Sequence, residues 1–227
     1  MKDRSTSLII VDLYDSDASE QWFTEKSRRG SVHDNLSERG FEIVDRESLH
    51  ARYQNLIVPI GTMQLSWGSL VPCPLPSRQT AFLAAYPYDL ASADYHGESL
   101  DALINRWMNM MPGHEKYLVS LEPSDYLVAT ANQITTGDIH EVTRMWELNA
   151  YVGVFDASAT MMFVFDAEFG VVYCSFDPAC LPENFEDFAK TFNARFAEVF
   201  VRDARFRTGA DPVRAEEYYR RAFAPVM

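Results

Sequence analysis

The residues best suited to chemistry in this sequence are three aspartates near its amino terminus. Asp12, Asp15 and Asp17 follow the apolar run 7–11, so carboxylates gather at the end of a predicted first strand. Carboxylates placed in this way can serve hydrolysis or phosphoryl transfer, especially with a bound metal ion. However, Ala18-Ser19 follow the aspartates in place of a Gly-Thr-like turn, and no Asp-Asp pair follows the candidate lysine, Lys116. We interpret the cluster as a polar loop, and a small hydrolase or phosphotransferase using it is the alternative function.

A second candidate is the sequence His140-Glu141-Val-Thr-Arg144, which begins like the zinc-binding helix motif His-Glu-x-x-His. Arg144 stands where the second imidazole would be, and a single imidazole cannot replace the two that this site needs. The three cysteines are widely spaced and form no Cys-x-x-Cys pair. The sequence therefore predicts no metal, no cofactor and no disulfide framework.

Motifs for nucleotide binding and for a serine nucleophile are missing from the sequence. It contains no Gly-x-Gly-x-x-Gly, no Gly-x-x-x-x-Gly-Lys-Ser/Thr and no Gly-x-Ser-x-Gly. No catalytic residue is predicted on this basis, although a site assembled from distant residues stays open because spacing cannot reveal it.

Negative charge is concentrated in one part of the chain. The formal net charge is −13, and residues 121–200 contain 13 acidic and 3 basic residues. Such a field repels phosphate backbones and anionic lipids, so we expect no nucleic acid and no membrane as partners. It attracts a basic protein. The alternative interpretation is an acidic surface that only keeps the protein in solution.

The apolar segments also predict a location. No run is long enough to span a bilayer, and 7–11 is too short for the apolar region of a signal peptide. Together with the odd number of cysteines, this indicates a cytoplasmic protein.

The pattern of elements predicts an α+β fold. Apolar runs at 151–155, 161–165 and 171–176 are separated by short polar turns, which is typical of an antiparallel meander. Both faces of these runs are apolar, so both should be covered. We predict a single domain over 1–227 with a mostly antiparallel central sheet and packed helices. An internal boundary near 72–77, where prolines alternate, is the alternative.

Three helices are predicted with particular clarity. The first spans 98–111, with an apolar face that ends at Pro112-Gly113. The second opens at Thr135, three residues before Asp138, an acidic variant of the capping box. The third follows Pro182 and carries an aromatic ridge, expected to pack on the 161–176 hairpin. The ridge consists of Phe185, Phe188, Phe192, Phe196 and Phe200.

The stretch 151–188 resembles the C-terminal part of the SMI1/KNR4-like superfamily of bacterial immunity proteins. The resemblance rests on 163–166 (Phe-Val-Phe-Asp), 170–173 (Gly-Val-Val-Tyr) and 185–188 (Phe-Glu-Asp-Phe). In that family a strand ending in Asp turns through Gly into a second strand, and a helix closes the domain. The resemblance implies a protein that neutralises a toxin by binding it, with no catalytic residues.

Together these features favour an acidic cytoplasmic binding protein, an immunity protein whose partner is a basic toxin. A non-enzymatic regulatory subunit is a further alternative. Acidic residues at helix surfaces, turns and strand ends are the candidate partner-binding residues, because such positions are exposed. They are Asp138, Glu141, Glu147, Asp156, Asp166, Glu168 and Asp177.

Overall fold

A computed structural model describes about two thirds of the chain. The described part comprises residues 34–44, 61–64, 70–75, 77–85, 89–120, 128–145, 151–158, 160–167, 169–207 and 212–223. The predicted first strand at 7–11, the Asp12, Asp15 and Asp17 cluster and the apolar run 55–60 lie outside it.

A seven-stranded, fully antiparallel sheet forms the centre of the fold. Its strands are β1 (Glu42–Ile43), β4 (Gln79–Ala84), β7 (Lys116–Ser120), β8 (Val128–Ala131), β9 (Tyr151–Asp156), β10 (Met161–Asp166) and β11 (Val171–Phe176). Their spatial order is β1-β8-β7-β9-β10-β11-β4. The described part also has two small hairpins: β2 (Gly61–Gln64) with β3 (Leu70–Cys73), and β5 (Asp94–Tyr95) with β6 (Glu98–Ser99). The predicted α+β class with a mostly antiparallel sheet is confirmed.

Besides a short helical stretch at 34–38, the described ranges contain α1 (Leu100–Asn109), α2 (Thr136–Met145), α3 (Phe185–Arg207) and α4 (Pro212–Tyr218). A 3-10 turn at Pro178–Cys180 precedes α3, and a π-helical turn at Tyr219–Phe223 follows α4. None of the helices in this part of the chain is long and apolar enough to cross a membrane.

The predicted meander is present as β9, β10 and β11. All eighteen residues of the three strands are buried, which confirms that both faces of this region are covered. Gly170 closes the turn between β10 and β11 with a φ of 63°, a backbone conformation that L side chains rarely adopt. The apolar, β-branched and aromatic composition of the runs explains both the strand conformation and the burial.

The first face of the sheet is covered by α1 and by the beginning of α3. The apolar face of α1 is buried as predicted, and its Trp107 packs edge-on against Phe188 with ring centroids 4.9 Å apart. Phe185 lies 4.5 Å from Phe176 of β11, measured between centroids. Phe188 and Phe192 are also buried, and both contact Tyr95. The predicted burial of the ridge is confirmed from Phe185 to Phe196.

The path of α3 explains how a single helix serves both faces of the sheet. Asn193 lies at the outer edge of β4, where its Nδ2 donates to the Thr80 carbonyl at 2.9 Å and its Oδ1 accepts from the Phe82 amide at 2.8 Å. One turn later Phe196 packs against Phe82 on the opposite face, at 5.4 Å. The helix therefore crosses the sheet edge, and the Asn193 amide satisfies backbone groups that a further strand would otherwise bind.

The proline-rich segment at 72–77 begins within a strand. Pro72 lies within β3, opposite Thr62 of β2. Among the described strands β3 pairs with β2 alone. The amide hydrogen that Pro72 lacks is therefore tolerated on the other edge of β3. The alternative domain boundary near 72–77 stays a prediction.

Candidate partner-binding surface

Asp156 is one of the predicted partner-binding residues, and its expected exposure is wrong. Its side chain is buried at the end of β9, and it accepts hydrogen bonds from the amides of Ser158, Thr160 and Met161 at 2.8–3.1 Å. The Thr160 hydroxyl donates to the same carboxylate. The carboxylate is thus used to close the turn between β9 and β10, because the amides of a tight turn need acceptors.

Asp166 departs from its predicted exposure in the same way. It ends β10 and is fully buried, and its Oδ1 accepts from the Phe169 amide at 2.9 Å. As with Asp156, a carboxylate at a strand end is drawn inward when the following turn offers it amide donors. Neither side chain can reach a partner.

Asp138 has a structural role that the sequence analysis did predict. Its Oδ2 accepts from the Thr135 amide at 2.9 Å, and the Thr135 hydroxyl accepts from the Asp138 amide at 3.2 Å, which completes the reciprocal capping box of α2. Its Oδ1 also forms an ion pair with Arg39 at 2.9 Å. A carboxylate with these partners, only 14% exposed, is a weak contact residue for another protein.

The other four predicted partner-binding residues differ in exposure. Asp177 is exposed and caps the 3-10 turn through the Ala179 amide at 2.8 Å. Glu141 is half-buried on α2. Glu147 and Glu168 lie outside the described residues, so their role stays a prediction.

The structure also brings together exposed acidic residues that sequence reasoning missed. We call them the α3 acidic surface; they are Asp94, Glu183, Glu186 and Asp187. The last three precede or open α3, where negative charge is favourable next to the helix amides. Asp94 belongs to the β5–β6 hairpin, which contacts the start of α3. The missed signal was the acidic run around Phe185, where only the aromatic residues had entered the prediction.

Contacts between the β5–β6 hairpin and α3 hold the two parts of this surface together. The Tyr95 hydroxyl donates to Asp187 Oδ2 at 2.6 Å, and His96 Nε2 lies 3.7 Å from the same oxygen. The hydrogen bond from Tyr95 lowers the pKa of Asp187, and His96 contributes to the same direction. Desolvation by burial is the larger cause, and the hydrogen bond to Asp187 and its negative charge are the smaller ones, that together raise the pKa of Tyr95 to about 12. His96 and Gly97 both have positive φ, as in a two-residue hairpin turn of type I′.

Local charge makes this surface strongly negative. Between Arg144 and Lys190 the sequence contains eight acidic residues and no Lys, Arg or His. Two of these eight, Asp156 and Asp166, are buried, so the exposed negative charge in the described part of this stretch is carried by Asp177 and by α3 acidic surface residues. Lys190, one turn into α3, is the first basic residue to follow.

Two cations with buried or partly buried side chains lie at the beginnings of strands of the central sheet, Lys116 in β7 and Arg78 just before β4. Lys116, the candidate lysine of the alternative enzyme, is buried at the start of β7 opposite Asp156, and its Nζ donates to the Asn132 carbonyl at 2.6 Å. Desolvation lowers its pKa. Arg78 donates to the Ser175 hydroxyl and carbonyl at 2.9 and 2.8 Å. Both cations therefore have structural roles, and Arg78 ties the start of β4 to β11.

A pocket lies between β4 and α3, but its size restricts what it can enclose. Its volume is about 90 Å³, and its walls include Leu83, Leu90 and Phe192, with Asp89 and Arg195 among the polar lining residues. Sites for small molecules usually measure about 300–1,000 Å³. Within the described ranges, no three His, Cys, Asp or Glu side chains are grouped so as to hold a metal ion.

Comparison of the chain with protein-family models, curated proteins and solved structures gives no significant match.

Proposed function

We propose that this chain is an acidic binding protein that neutralises a basic protein partner by covering it, as an immunity protein covers a toxin. The observation that carries the proposal is the α3 acidic surface, whose four carboxylates are exposed. Three of them, Glu183, Glu186 and Asp187, belong to the stretch 145–189, which contains no Lys, Arg or His. The resemblance of 151–188 to SMI1/KNR4-like immunity proteins supports the same class of function. The cytoplasm is the compartment that this proposal implies.

The geometry favours a protein partner over a small molecule. The carboxylates are presented on a helix start and a hairpin, and the Tyr95–Asp187 hydrogen bond joins these two elements and fixes the Asp187 carboxylate. Preorganised charge of this kind accelerates encounter with a complementary surface. A toxin that acts on nucleic acid needs a basic cleft for phosphate, and such a cleft is complementary to this surface.

Charge reversal on the α3 acidic surface tests the proposal directly. In the double variant Glu183→Lys with Glu186→Lys, we expect association with the protein encoded by the adjacent gene to slow about tenfold, because steering charges act mainly on the association rate. Surface plasmon resonance or stopped-flow fluorescence gives that rate.

A control with the same change in net charge separates a local effect from a general one. Glu38→Lys with Glu216→Lys alters exposed carboxylates outside the α3 acidic surface. We expect less than a twofold change in its association rate. Equal slowing in both double variants would assign the effect to net charge alone, and no complex with the unmodified chain would refute the proposed function.

A further inference from the structure

The pocket between β4 and α3 has apolar walls and is partly open to solvent. Its walls come from the end of β4, from the connection that follows β4 and from one face of α3, and they include Leu83, Ala84, Leu90, Ala93, Phe192 and Val199. Its volume of about 90 Å³ lies below the roughly 150 Å³ of an apolar cavity that accepts benzene. The pocket can therefore enclose a short aliphatic side chain, whereas an aromatic ring is too large for it.

The last residue of β4, Ala84, directs its backbone amide and carbonyl to the outer edge of the sheet. The Ala85 amide donates to the Gly170 carbonyl at 2.9 Å, so the odd-numbered residues of β4 are those whose backbone groups bond to β11. The even-numbered residues point away from β11, and Asn193 binds the outward amide of Phe82. Ala84 lines the pocket, and neither of its backbone groups has a hydrogen-bond partner among the described residues. A ligand in the pocket can therefore donate to this carbonyl and accept from this amide.

Asp89 and Arg195 add opposite charges to the lining of the pocket. Both residues are exposed, so they belong to its open part. Within the part of the chain that the structure describes, neither side chain has an ion pair or a hydrogen bond, and Asp89 contributes only its backbone carbonyl, which accepts from the Ser92 hydroxyl at 3.2 Å. The carboxylate is thus free to bind a cation, and the guanidinium is free to bind an anion.

We propose that this pocket is a binding site for a free α-amino acid with a short aliphatic side chain, such as valine or leucine. The side chain lies between the apolar walls. The ammonium group donates to the Asp89 carboxylate and the Ala84 carbonyl, and the carboxylate accepts from the Arg195 guanidinium and the Ala84 amide. Only the side chain is enclosed, so a pocket smaller than the usual small-molecule site is sufficient. The inference is independent of the proposed function, since the α3 acidic surface has no part in it.

A free amino acid fits this site better than a residue within a peptide does. An internal peptide residue has neither terminal charge, so its binding would leave Asp89 and Arg195 without partners. Addition of a peptide strand to a sheet edge uses a row of backbone groups. However, Asn193 already binds the neighbouring Phe82 amide and Thr80 carbonyl. The two free backbone groups of Ala84 therefore match the two charged ends of one amino acid.

Titration with leucine tests the site on the unmodified protein. Adding L-leucine should shift the backbone amide NMR signals of Ala84, Ala85 and Leu90 in a saturable way, with a Kd of about 1 mM or tighter, as expected for a ligand of this size. Three analogues separate the contributions: isocaproate lacks the ammonium group, isoamylamine lacks the carboxylate, and N-acetyl-leucine amide carries neither charge. Each analogue should bind at least tenfold more weakly than leucine, because a charged group of the site loses its counterpart.

Variants of the two charged residues show whether leucine binds in this pocket. Asp89→Asn and Arg195→Gln should each weaken leucine binding at least tenfold. The matched controls Glu186→Gln and Lys190→Gln remove the same charges from exposed residues outside the lining of the pocket, and they should change the Kd less than twofold. Ala93→Leu places a larger side chain in the wall of the pocket and should abolish binding.

The proposal fails if leucine at up to about 20 mM produces no saturable shift, or if the Asp89→Asn and Arg195→Gln variants bind leucine as tightly as the unmodified chain does. Equal binding of leucine and N-acetyl-leucine amide would overturn it in favour of a peptide site. Because Asp89 and Arg195 are exposed, both charge variants are expected to fold, and they decide the question if Ala93→Leu does not fold.

Discussion

Asp156 and Asp166 show how a carboxylate that ends a strand can be used by the turn after it. Asp156 accepts three backbone amides and one hydroxyl, and Asp166 accepts the Phe169 amide. Both are buried, whereas Asp177, directly after β11, is exposed and caps a 3-10 turn. The difference lies in the connection after each strand: a tight hairpin draws the carboxylate inward, and a helical turn at the surface does not.

Replacing Asp156 by alanine should lower the free energy of unfolding by about 3 kcal/mol, because several buried backbone amides would lose their hydrogen-bond acceptor at once. Urea unfolding followed by circular dichroism measures the loss. Asp177→Ala removes an exposed cap and should cost only about 1 kcal/mol. Similar losses in the two variants would contradict the assignment of Asp156 as the acceptor that closes the turn.

The Tyr95–Asp187 hydrogen bond predicts a measurable pKa change. Because that bond lowers the pKa of Asp187, Tyr95→Phe should raise it toward the ordinary value for an aspartate. A depressed folded-state pKa stabilises the protein above the unfolded-state pKa, and this contribution is lost as pH falls through the folded-state pKa. NMR titration of the Asp187 carboxyl carbon in both proteins checks the shift, and an unchanged pKa would refute the role of Tyr95.

At the scale of elements, α3 links the two faces of the sheet. Its early aromatic residues pack on the first face with Trp107, and Phe196 packs on the second face with Phe82. Asn193 lies between them at the edge of β4. The helix therefore contributes to both cores and also protects the edge strand from pairing with another chain.

Phe188→Ala should lower the free energy of unfolding by about 3–5 kcal/mol, because Phe188 is fully buried among Trp107, Tyr95 and Phe192. Thr191→Ala, an exposed change on the same helix, should stay within about 0.5 kcal/mol. Urea unfolding of both variants provides the comparison, and a loss below about 1 kcal/mol for Phe188→Ala would show that the ridge is not part of the core.

Asn193→Ala should cost about 1–3 kcal/mol, since it leaves an edge amide and carbonyl of β4 without partners. Thermal unfolding measures the loss. A variant as stable as the unmodified chain would mean that water replaces the Asn193 amide at the edge of β4.

The parts of the fold that the sequence could predict are those determined by local residue patterns. The capping box of Thr135 and Asp138 and the 151–176 meander depend on neighbours a few residues away, so spacing reveals them. The position of β4 beside β11, and of β7 between β8 and β9, depends on contacts between residues far apart in the chain. The α3 acidic surface depends on both kinds of contact. Glu183, Glu186 and Asp187 form a local acidic run, whereas the hairpin that contains Asp94 joins α3 only through the long-range contact of Tyr95 with Asp187.

At the scale of the whole molecule, the charge distribution relates the fold to the proposed function. The sequence has a pI of about 4.7, and negative charge is concentrated in 121–200. Burial of Asp156 and Asp166 removes two carboxylates from the surface, yet the α3 acidic surface keeps four exposed on adjoining elements. Among the described residues, the start of α3 and the β5–β6 hairpin therefore offer a partner four exposed carboxylates on adjoining elements.

The dependence of association on salt tests whether the α3 acidic surface recognises the partner. Charges that steer a basic partner lose their effect as ions screen them, over about 8 Å at physiological ionic strength. We predict that the association rate with the protein encoded by the adjacent gene falls at least tenfold between 20 and 500 mM salt, roughly the range over which steering is lost. The Glu183→Lys, Glu186→Lys variant should show a weaker dependence. A rate that is independent of salt, or equal salt dependence in the variant and the unmodified chain, would contradict recognition through the α3 acidic surface.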